Sequence, residues 1–581
     1  MKSQAFPDES GGLTLRAALI AVGLSLFLLT SSSYIALKLG ALPWPIIFSV
    51  IVSGGLIKVL NRHRPVNIHE VNVAQAGASI GGLVAAGVVF TLPGIMYLNQ
   101  TRHLSIAWPD LWLLSVLVAL SSVLGVLLSV PLKYTFIDEE QLPYPAGTAG
   151  AELLKAGKSG GRLLVGLAAV GCLAGVFALT RDLYFPSGWT LPALAAAGVY
   201  LVFVPMPLAV SGGYILGPKA GYSWFAGAAI GWLVIVPFLF HAGWSGEQGK
   251  LWVQNLGMGM VLGSGVGFFA AYVIPRLRRI FLPLLQARAG LLRMFPVLAL
   301  AGTVVLVVAE VPPPAAVLAV LGVWIMVAVA ARMTGETNIN PLEQFGIFVG
   351  LVIAFLYART ATDLPLLSSF LIVLFVSVAS AVAGDAGHDY KSAAIVGTRF
   401  FDIVKIDVLT AAVSGLVAPL VLEAMRRGFA HSLFTPAMPA PQAQLVAGSI
   451  FGFEYPKVFL AGFILAFSGE MLLPQRIKER WMLMPMGIGL FLGMGLAIPL
   501  LIGAMIRHYL DKRHAHLYHA GLLIAAGVMG GEGIAGFTAG ALTAVGWSYQ
   551  FGARILLVFL ALGFAVTAWQ YRTAGRQGDI S

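Results

Sequence analysis

A chain of 581 residues that is 58% hydrophobic and only 10% charged carries too little charge to cover a water-soluble domain. Its formal net charge of +11 is no nucleic-acid footprint, because the basic residues flank apolar runs instead of forming a patch. The single cysteine, Cys172 inside an apolar run, excludes an intramolecular disulfide and a thiolate metal cluster.

Apolar blocks of about 20 residues, the length that crosses a hydrocarbon core of roughly 30 Å, recur from end to end. In chain order they lie near 14–37, 43–61, 70–92, 108–130, 161–180, 189–213, 220–243 and 252–275. A second series lies near 294–311, 314–332, 341–357, 363–384, 406–424, 454–473, 482–506, 518–546 and 551–571. They lack the alternation of barrel strands. The expectation is an all-α polytopic membrane protein with about 16 (16–17) transmembrane helices, with the Gly-rich stretches as places for broken or re-entrant helices. The first block has no cleavage-like site and reads as a retained helix. Arg62, Arg64, Lys155, Lys158, Arg162, Arg276, Arg278, Arg279, Arg288 and Arg293 put the N-terminus in the cytoplasm by the positive-inside rule. RHYLDKRHAH at 507–516 falls on the opposite side in that topology.

The basic stretch near 276–293 divides the chain into an N-terminal half, 1–285, and a C-terminal half, 286–581. GSGV at 263–266 recurs as GEGI at 531–534, and Asn67 and Glu70 find counterparts in Asn340 and Glu343. Eight spans per half give the halves the same orientation, a parallel pseudo-symmetric repeat about the membrane normal. Carriers built this way place a substrate site between the halves near midplane.

NIHEVNVAQAGASIGGLVAAG, residues 67–87, opens with Asn67 and Glu70 at the spacing of an N-cap and an N3 carboxylate. Glu70 has two readings, a cap or a substrate contact. Asn72, Gln75, Ser79 and Gly82 share an arc of about 80° on a helix, and such a stripe must face the bundle. It either bonds neighbouring helices or lines a substrate path. In LPYPAGTAG, Tyr144 and Thr148 sit in a long loop rich in turn formers. Asn338, Asn340 and Gln344 around NPLE supply amides that bond a peptide backbone without reading its side chains.

GDAGHDYK at 384–391 gathers Asp385, His388, Asp389 and Lys391 just beyond a span, as a salt-bridged loop, a coupling network or a metal site. The two aspartates also raise an intramembrane Mg²⁺-dependent enzyme acting on a lipid-linked diphosphate, but that chemistry wants two Asp-rich clusters and only one is present. His508, His514, His516 and His519 form a cluster between spans that reads as solvated or as a metal-capture loop. Glu532, at the centre of the 518–546 block, is expensive there, and so is the first choice for a proton carrier. A protonated Glu532 bonded to a neighbouring helix is the alternative. Gly531 and Gly533 beside it weaken a regular helix and offer backbone groups to a ligand. No phosphate-loop, zinc-protease or nucleophile-elbow pattern occurs.

HEVNVAQAGASIGGLVAAGVVFTLP, LPYPAGTAGAELLKAG, GYILGPKAG, TGETNINPLEQFG, GDAGHDYKSAAIVGT and GGEGIAG, in that order, resemble the oligopeptide transporter family, which includes the yellow-stripe-like metal-chelate carriers. The resemblance runs from about residue 14 to 546. It implies about sixteen helices and secondary active transport, usually proton-coupled import of short peptides or peptide-like metal chelates. Carried over residue by residue, it marks Glu70, Asn72 and Gln75, then Tyr144, Pro145, Gly147 and Thr148, then Gly531, Glu532 and Gly533. The expectation is a proton-coupled symporter in the cytoplasmic membrane. Its substrate-binding candidates are Glu70, Asn72, Gln75, Tyr144, Thr148, Asn338, Asn340, Gln344, Gly531 and Gly533. Glu532, Asp385 and Asp389 are its proton-coupling candidates. No cofactor, resident metal or nucleic-acid partner is expected; membrane lipid and protons are, and both monomer and homodimer stay open. A passive channel is the remaining alternative.

Overall fold

The computed structural model describes residues 9–40, 46–60, 66–155, 161–185, 189–190, 194, 198–276, 294–338, 340–359, 363–435 and 437–576. Arg62, Arg64, Lys158, Arg278, Arg279, Arg288 and Arg293 lie outside them, as does part of the 189–213 block. What is described is nearly all helical, with one two-residue antiparallel pair, Trp189–Thr190 against Val202–Phe203. Eleven described helices are long and apolar enough to span a membrane, or twelve if a pair bent by 112°, Pro441–Phe451 and Pro456–Leu472, counts as one. The blocks expected at 43–61, 294–311 and 341–357 appear as shorter apolar helices.

Polar residues start and stop these helices. Thr14 caps Leu15–Leu39 by accepting from the Ala17 amide, Asp110 caps Leu111–Lys133 at Leu113, and Asn67 caps Ile68–Val89 at His69. Each satisfies a backbone donor that a first helical turn leaves open. Glu70 does not reach back to complete a capping box.

Two helices, Ile68–Thr101 taken with its short continuation and Leu366–Val396, are the most enclosed, with 89% of their apolar windows buried. The outermost, Tyr549–Gln570, has only 11% buried, and Phe559, Leu562 and Trp569 lie on its open side. Small residues let the inner helices touch. A methyl on Gly81 would lie 1.9 Å from the Ser25 carbonyl oxygen, and one on Gly125 would lie 2.4 Å from that of Ala379. Such backbone-to-backbone approach substitutes for the hydrophobic drive that lipid cannot supply.

The contacts are reciprocal across the chain. Pro207–Leu216 and Pro218–Ala229 are broken at Gly217 (φ 84°, ψ 174°), and Leu483–Leu492 and Met494–Arg513 at Gly493 (φ 75°, ψ −168°). Positive φ at both breaks needs glycine. The two broken helices cross: a methyl on Gly213 would meet the Leu500 carbonyl oxygen and one on Gly489 that of Trp224, each at 1.9 Å. Gly227 stands to Met486 as Gly503 stands to Val210. Every one of these positions is shifted by the same interval between halves, so the crossing is a two-fold motif written twice. The GSGV/GEGI match is mirrored likewise, since Gly263 meets the Phe463 carbonyl and Gly531 that of Gly171. Asn340 and Glu343 are not the counterparts of Asn67 and Glu70 in packing. Ile68–Val89 packs on Leu15–Leu39 and Phe400–Gly428, as Leu366–Val396 packs on Pro313–Thr337 and Leu111–Lys133.

Candidate transport site and its buried charges

The stripe Asn72, Gln75 and Ser79 does face the bundle. Asn72 Nδ2 donates to Thr398 Oγ1 at 3.0 Å, and its Oδ1 accepts from Ser392 Oγ at 2.9 Å and Gln75 Nε2 at 3.2 Å. Gln75 Nε2 also donates to Asp389 Oδ1 at 3.3 Å, and Ser79 Oγ to Asp389 Oδ2 at 3.0 Å. The stripe is therefore held by interhelical bonds in this conformation. Glu70 is held too: Arg16 donates to both its oxygens, at 2.9 and 2.5 Å, and Thr14 Oγ1 donates at 2.5 Å.

The GDAGHDYK stretch is not a loop. It is the interior of the Leu366–Val396 helix, and Ala386, His388, Asp389 and Tyr390 are buried. Charge density marks the end of a span only when the charges meet water, and here they meet other helices. Asp385 Oδ2 accepts from Asn340 Nδ2 at 3.0 Å, and its Oδ1 lies 3.6 Å from His388 Nε2. LPYPAGTAG is likewise not an open loop, because Pro145–Lys155 is a helix inserted among the others. Its first residues wrap His388. The Gly147 amide donates to His388 Nδ1 at 3.3 Å, and Tyr144 meets that ring edge-on at 5.5 Å between centroids. Tyr144 Oη donates to the Ala331 carbonyl at 2.8 Å, and burial pushes this phenol well above the ordinary tyrosine range, keeping it a neutral donor. Thr148 is spent on its own turn, donating to Pro143 O at 2.7 Å, and Asn338 Oδ1 accepts from the Ala146 amide.

Around Asn340 and Gln344 the accounting differs. The buried Glu343 carboxyl lies beside the Gln344 amide; apart from it, the Gln344 side chain, Asn340 Oδ1, and the hydroxyls of buried Ser377 and Ser380 have no hydrogen-bond partner among the described residues. These groups share one neighbourhood. Asn340 donates to the Ser380 carbonyl at 3.4 Å, Gly346 of the Gln344 helix packs on Ser377, and Gly265 packs on the Gln344 side chain. A polar group left unpaired away from water costs on the order of 1–3 kcal/mol, so these groups have hydrogen-bonding capacity open to water or to a ligand.

Glu532 lies in an unbroken helix, Tyr518–Ala544, so the glycines beside it open no backbone. They admit neighbours instead: a methyl on Gly531 would lie 2.1 Å from Gly171 O, and one on Gly533 2.3 Å from Ser31 Oγ. Glu532 itself is fully buried and doubly held. Arg181 Nη1 donates to Oε1 at 2.8 Å, and the Leu208 amide, in the first turn of Pro207–Leu216, donates to Oε2 at 2.9 Å. Arg181 also pairs with Asp182 at 2.7 Å, and Asp182 lies 3.8 Å from Lys38 Nζ and accepts from Tyr549 Oη at 3.3 Å. Two cations thus balance two carboxylates. Arg181, Asp182 and Lys38 carried a faint sequence signal, charges at the ends of apolar runs, which reads as interfacial until a partner is seen. His508, His514 and His516 lie at the end of Met494–Arg513 and just beyond it, where His514 and His516 are exposed.

Residues 12–274 and 289–543 match the family model described as OPT oligopeptide transporter protein. A protein of Haemophilus influenzae named "Putative oligopeptide transporter" is 26% identical over 594 residues, covering 86% of this chain and 91% of that protein. With its many apolar helices and a family match over most of its length, this multi-pass membrane protein belongs to the oligopeptide transporter family, a transporter family and not an enzyme family.

Proposed function

We propose that the protein is a proton-coupled symporter that imports short peptides, or metal chelates of peptide-like chemistry, across the cytoplasmic membrane, with its N-terminus in the cytoplasm. The observation that carries this reading is the set of buried amide and hydroxyl groups without protein partners: Gln344, Asn340 Oδ1, Ser377 and Ser380. Amides and hydroxyls both donate and accept, so they pair with a peptide backbone whatever its side chains. The name of the Haemophilus influenzae relative points to the same substrate class.

Glu70 and Glu532, expected as contacts for a substrate ammonium, are each engaged by an arginine. The amides therefore take the larger share of recognition in this conformation. The two halves, 1–285 and 286–581, are the bodies whose rearrangement alternates access, with the crossed broken helices as their shared pivot. Uptake of labelled di- to hexapeptides and of an iron chelate into proteoliposomes, with and without an inward acid gradient, tests the proposal. Accumulation above equilibrium only with the gradient is the expected result. Equilibration without gradient dependence would make the protein a channel, and no uptake of either class would end the reading.

A further inference from the structure

Asp407 lies in the second turn of the Phe400–Gly428 helix, is 0% exposed, and neither of its carboxyl oxygens has a hydrogen-bond partner among the described residues. Asp389 lies on Leu366–Val396, which packs against this helix. Asp389 is also buried, and the donors it receives are neutral, Gln75 and Ser79.

On the Leu366–Val396 helix, Asp385 accepts from Asn340, Tyr390 Oη meets Ser129 Oγ, and His388 is turned to Gly147 and Asp385. On the Phe400–Gly428 helix, Lys405 is exposed and Asp402 accepts from the Gly12 and Leu13 amides. Leu15–Leu39, Ile68–Val89, Leu111–Lys133 and Tyr518–Ala544 pack on that helix. Ser25 of the first bonds Ser414, and Ser129 of the third bonds Tyr390. Among the described residues no Lys, Arg or His forms an ion pair with Asp389 or Asp407.

We propose that Asp407 is the site of the coupling proton, the group that loads and releases it, with Asp389 as a second buried carboxyl on the helix packed against it. An unpaired carboxylate in a low-dielectric core costs several kcal/mol, and a second carboxyl on the packed helix adds repulsion, so Asp407 keeps its proton until its surroundings open to water. A purely structural carboxyl would have its oxygens saturated; those of Asp407 are vacant for transfer. The readout is built in. When Asp407 ionises, its charge acts on Asp389, which accepts from Gln75 and Ser79 of the helix that carries Asn72 and Glu70. Proton occupancy thereby bears on how Ile68–Val89 sits against Leu366–Val396.

The transport part rests on the symport reading above, so two measurements separate the failures. Infrared spectra of the purified protein in H₂O and D₂O at neutral pH are expected to show a protonated-carboxyl stretch that shifts on deuteration and loses a component in Asp407→Asn. A spectrum without that band overturns the proton site whatever the protein transports. In proteoliposomes, a one-unit acid gradient supports about tenfold accumulation per proton. Asp407→Asn is expected to lose that accumulation and keep peptide exchange between equal concentrations, which needs binding and alternation but no gradient. Full accumulation in Asp407→Asn, or accumulation driven by a sodium gradient in its place, overturns the assignment. The retained exchange also reports that the variant is folded, and Asp407→Glu, which keeps the carboxyl, should restore part of the band.

Discussion

Two clusters of buried carboxylates sit in the same helical bundle and have opposite surroundings. Glu532 and Asp182 are matched by Arg181 and Lys38, with the Leu208 amide and Tyr549 Oη completing the set. Among the described residues, Asp389 and Asp407 are matched by no cation, and Asp407 by no hydrogen bond. The first cluster ties Leu15–Leu39, Gly161–Tyr184, Pro207–Leu216 and Tyr518–Ala544 into one unit. The second joins two helices through groups that change charge cheaply only by exchanging a proton. Depth in the membrane makes a carboxylate expensive in both cases, but the partners decide whether it becomes a brace or a switch.

Breaking the brace is the sharpest test of that contrast. Glu532→Gln leaves Arg181 buried with one carboxylate fewer, and loss of one partner from a buried pair typically costs about 3–5 kcal/mol. The expected outcome is a large fall in Tm for the single variant, and recovery of most of it when Arg181→Met is added. Acid-driven accumulation should survive in the double variant. If accumulation disappears there while peptide exchange persists, Glu532 and not Asp407 carries the proton, and the contrast reverses.

How much of this was legible in the sequence follows from what each signal measures. Apolar length measures exposure to lipid, so the membrane class and most spans could be read directly. The Asn72–Gln75–Ser79 arc measures helical phase, and it correctly pointed inward. Charge clustering measures only composition. GDAGHDYK therefore reads as a loop although it is core, and Glu532 reads as lone although Arg181 lies 351 positions away and beside it in space. Asp407 stood near the start of an expected span, where a carboxylate meets water at no cost and draws no attention. The repeat was visible only in fragments because the interval between equivalent positions differs from one helix pair to the next, as the Gly213/Gly489 and Gly263/Gly531 pairs show.

The crossed broken helices allow a smaller break that should be symmetrical. Gly489→Ala and Gly213→Ala each place a methyl 1.9 Å from a backbone carbonyl oxygen, and neither carbonyl can rotate away as a flexible side chain would. Each should lower stability by about 1–3 kcal/mol, the usual range for forced overpacking. Equal losses in denaturation midpoint would establish the two crossings as equivalent joints. Unequal losses would mean that only one of them bears load in this conformation.

The vacant amides give a change of opposite sign. Gln344→Leu replaces an unpartnered buried amide by an apolar group of similar size, so stability should hold or rise, by up to about 1–3 kcal/mol, while the apparent affinity for peptide falls roughly tenfold. The pairing of those two measurements is what matters. A fall in both would make Gln344 a structural residue whose partner is merely bridged by water, and the peptide-backbone role would pass to Asn340, Ser377 and Ser380.

Arg16→Ala should have the smallest effect, and it places a third carboxylate between the two extremes. Glu70 is buried, with 3% of its side chain exposed, but the Arg16 side chain that pairs with it is 34% exposed. A guanidinium that water reaches is screened, so removing it should cost about 1 kcal/mol or less, provided Glu70 keeps another donor. Thr14 Oγ1 supplies that donor at 2.5 Å. The double variant Thr14→Val with Arg16→Ala strips Glu70 of both, and the cost should then grow well beyond the sum of the single changes, because the two donors cover for one another. Simple addition would show that Glu70 turns to water once Arg16 is gone, which would make this end of the bundle an opening gate and not a brace.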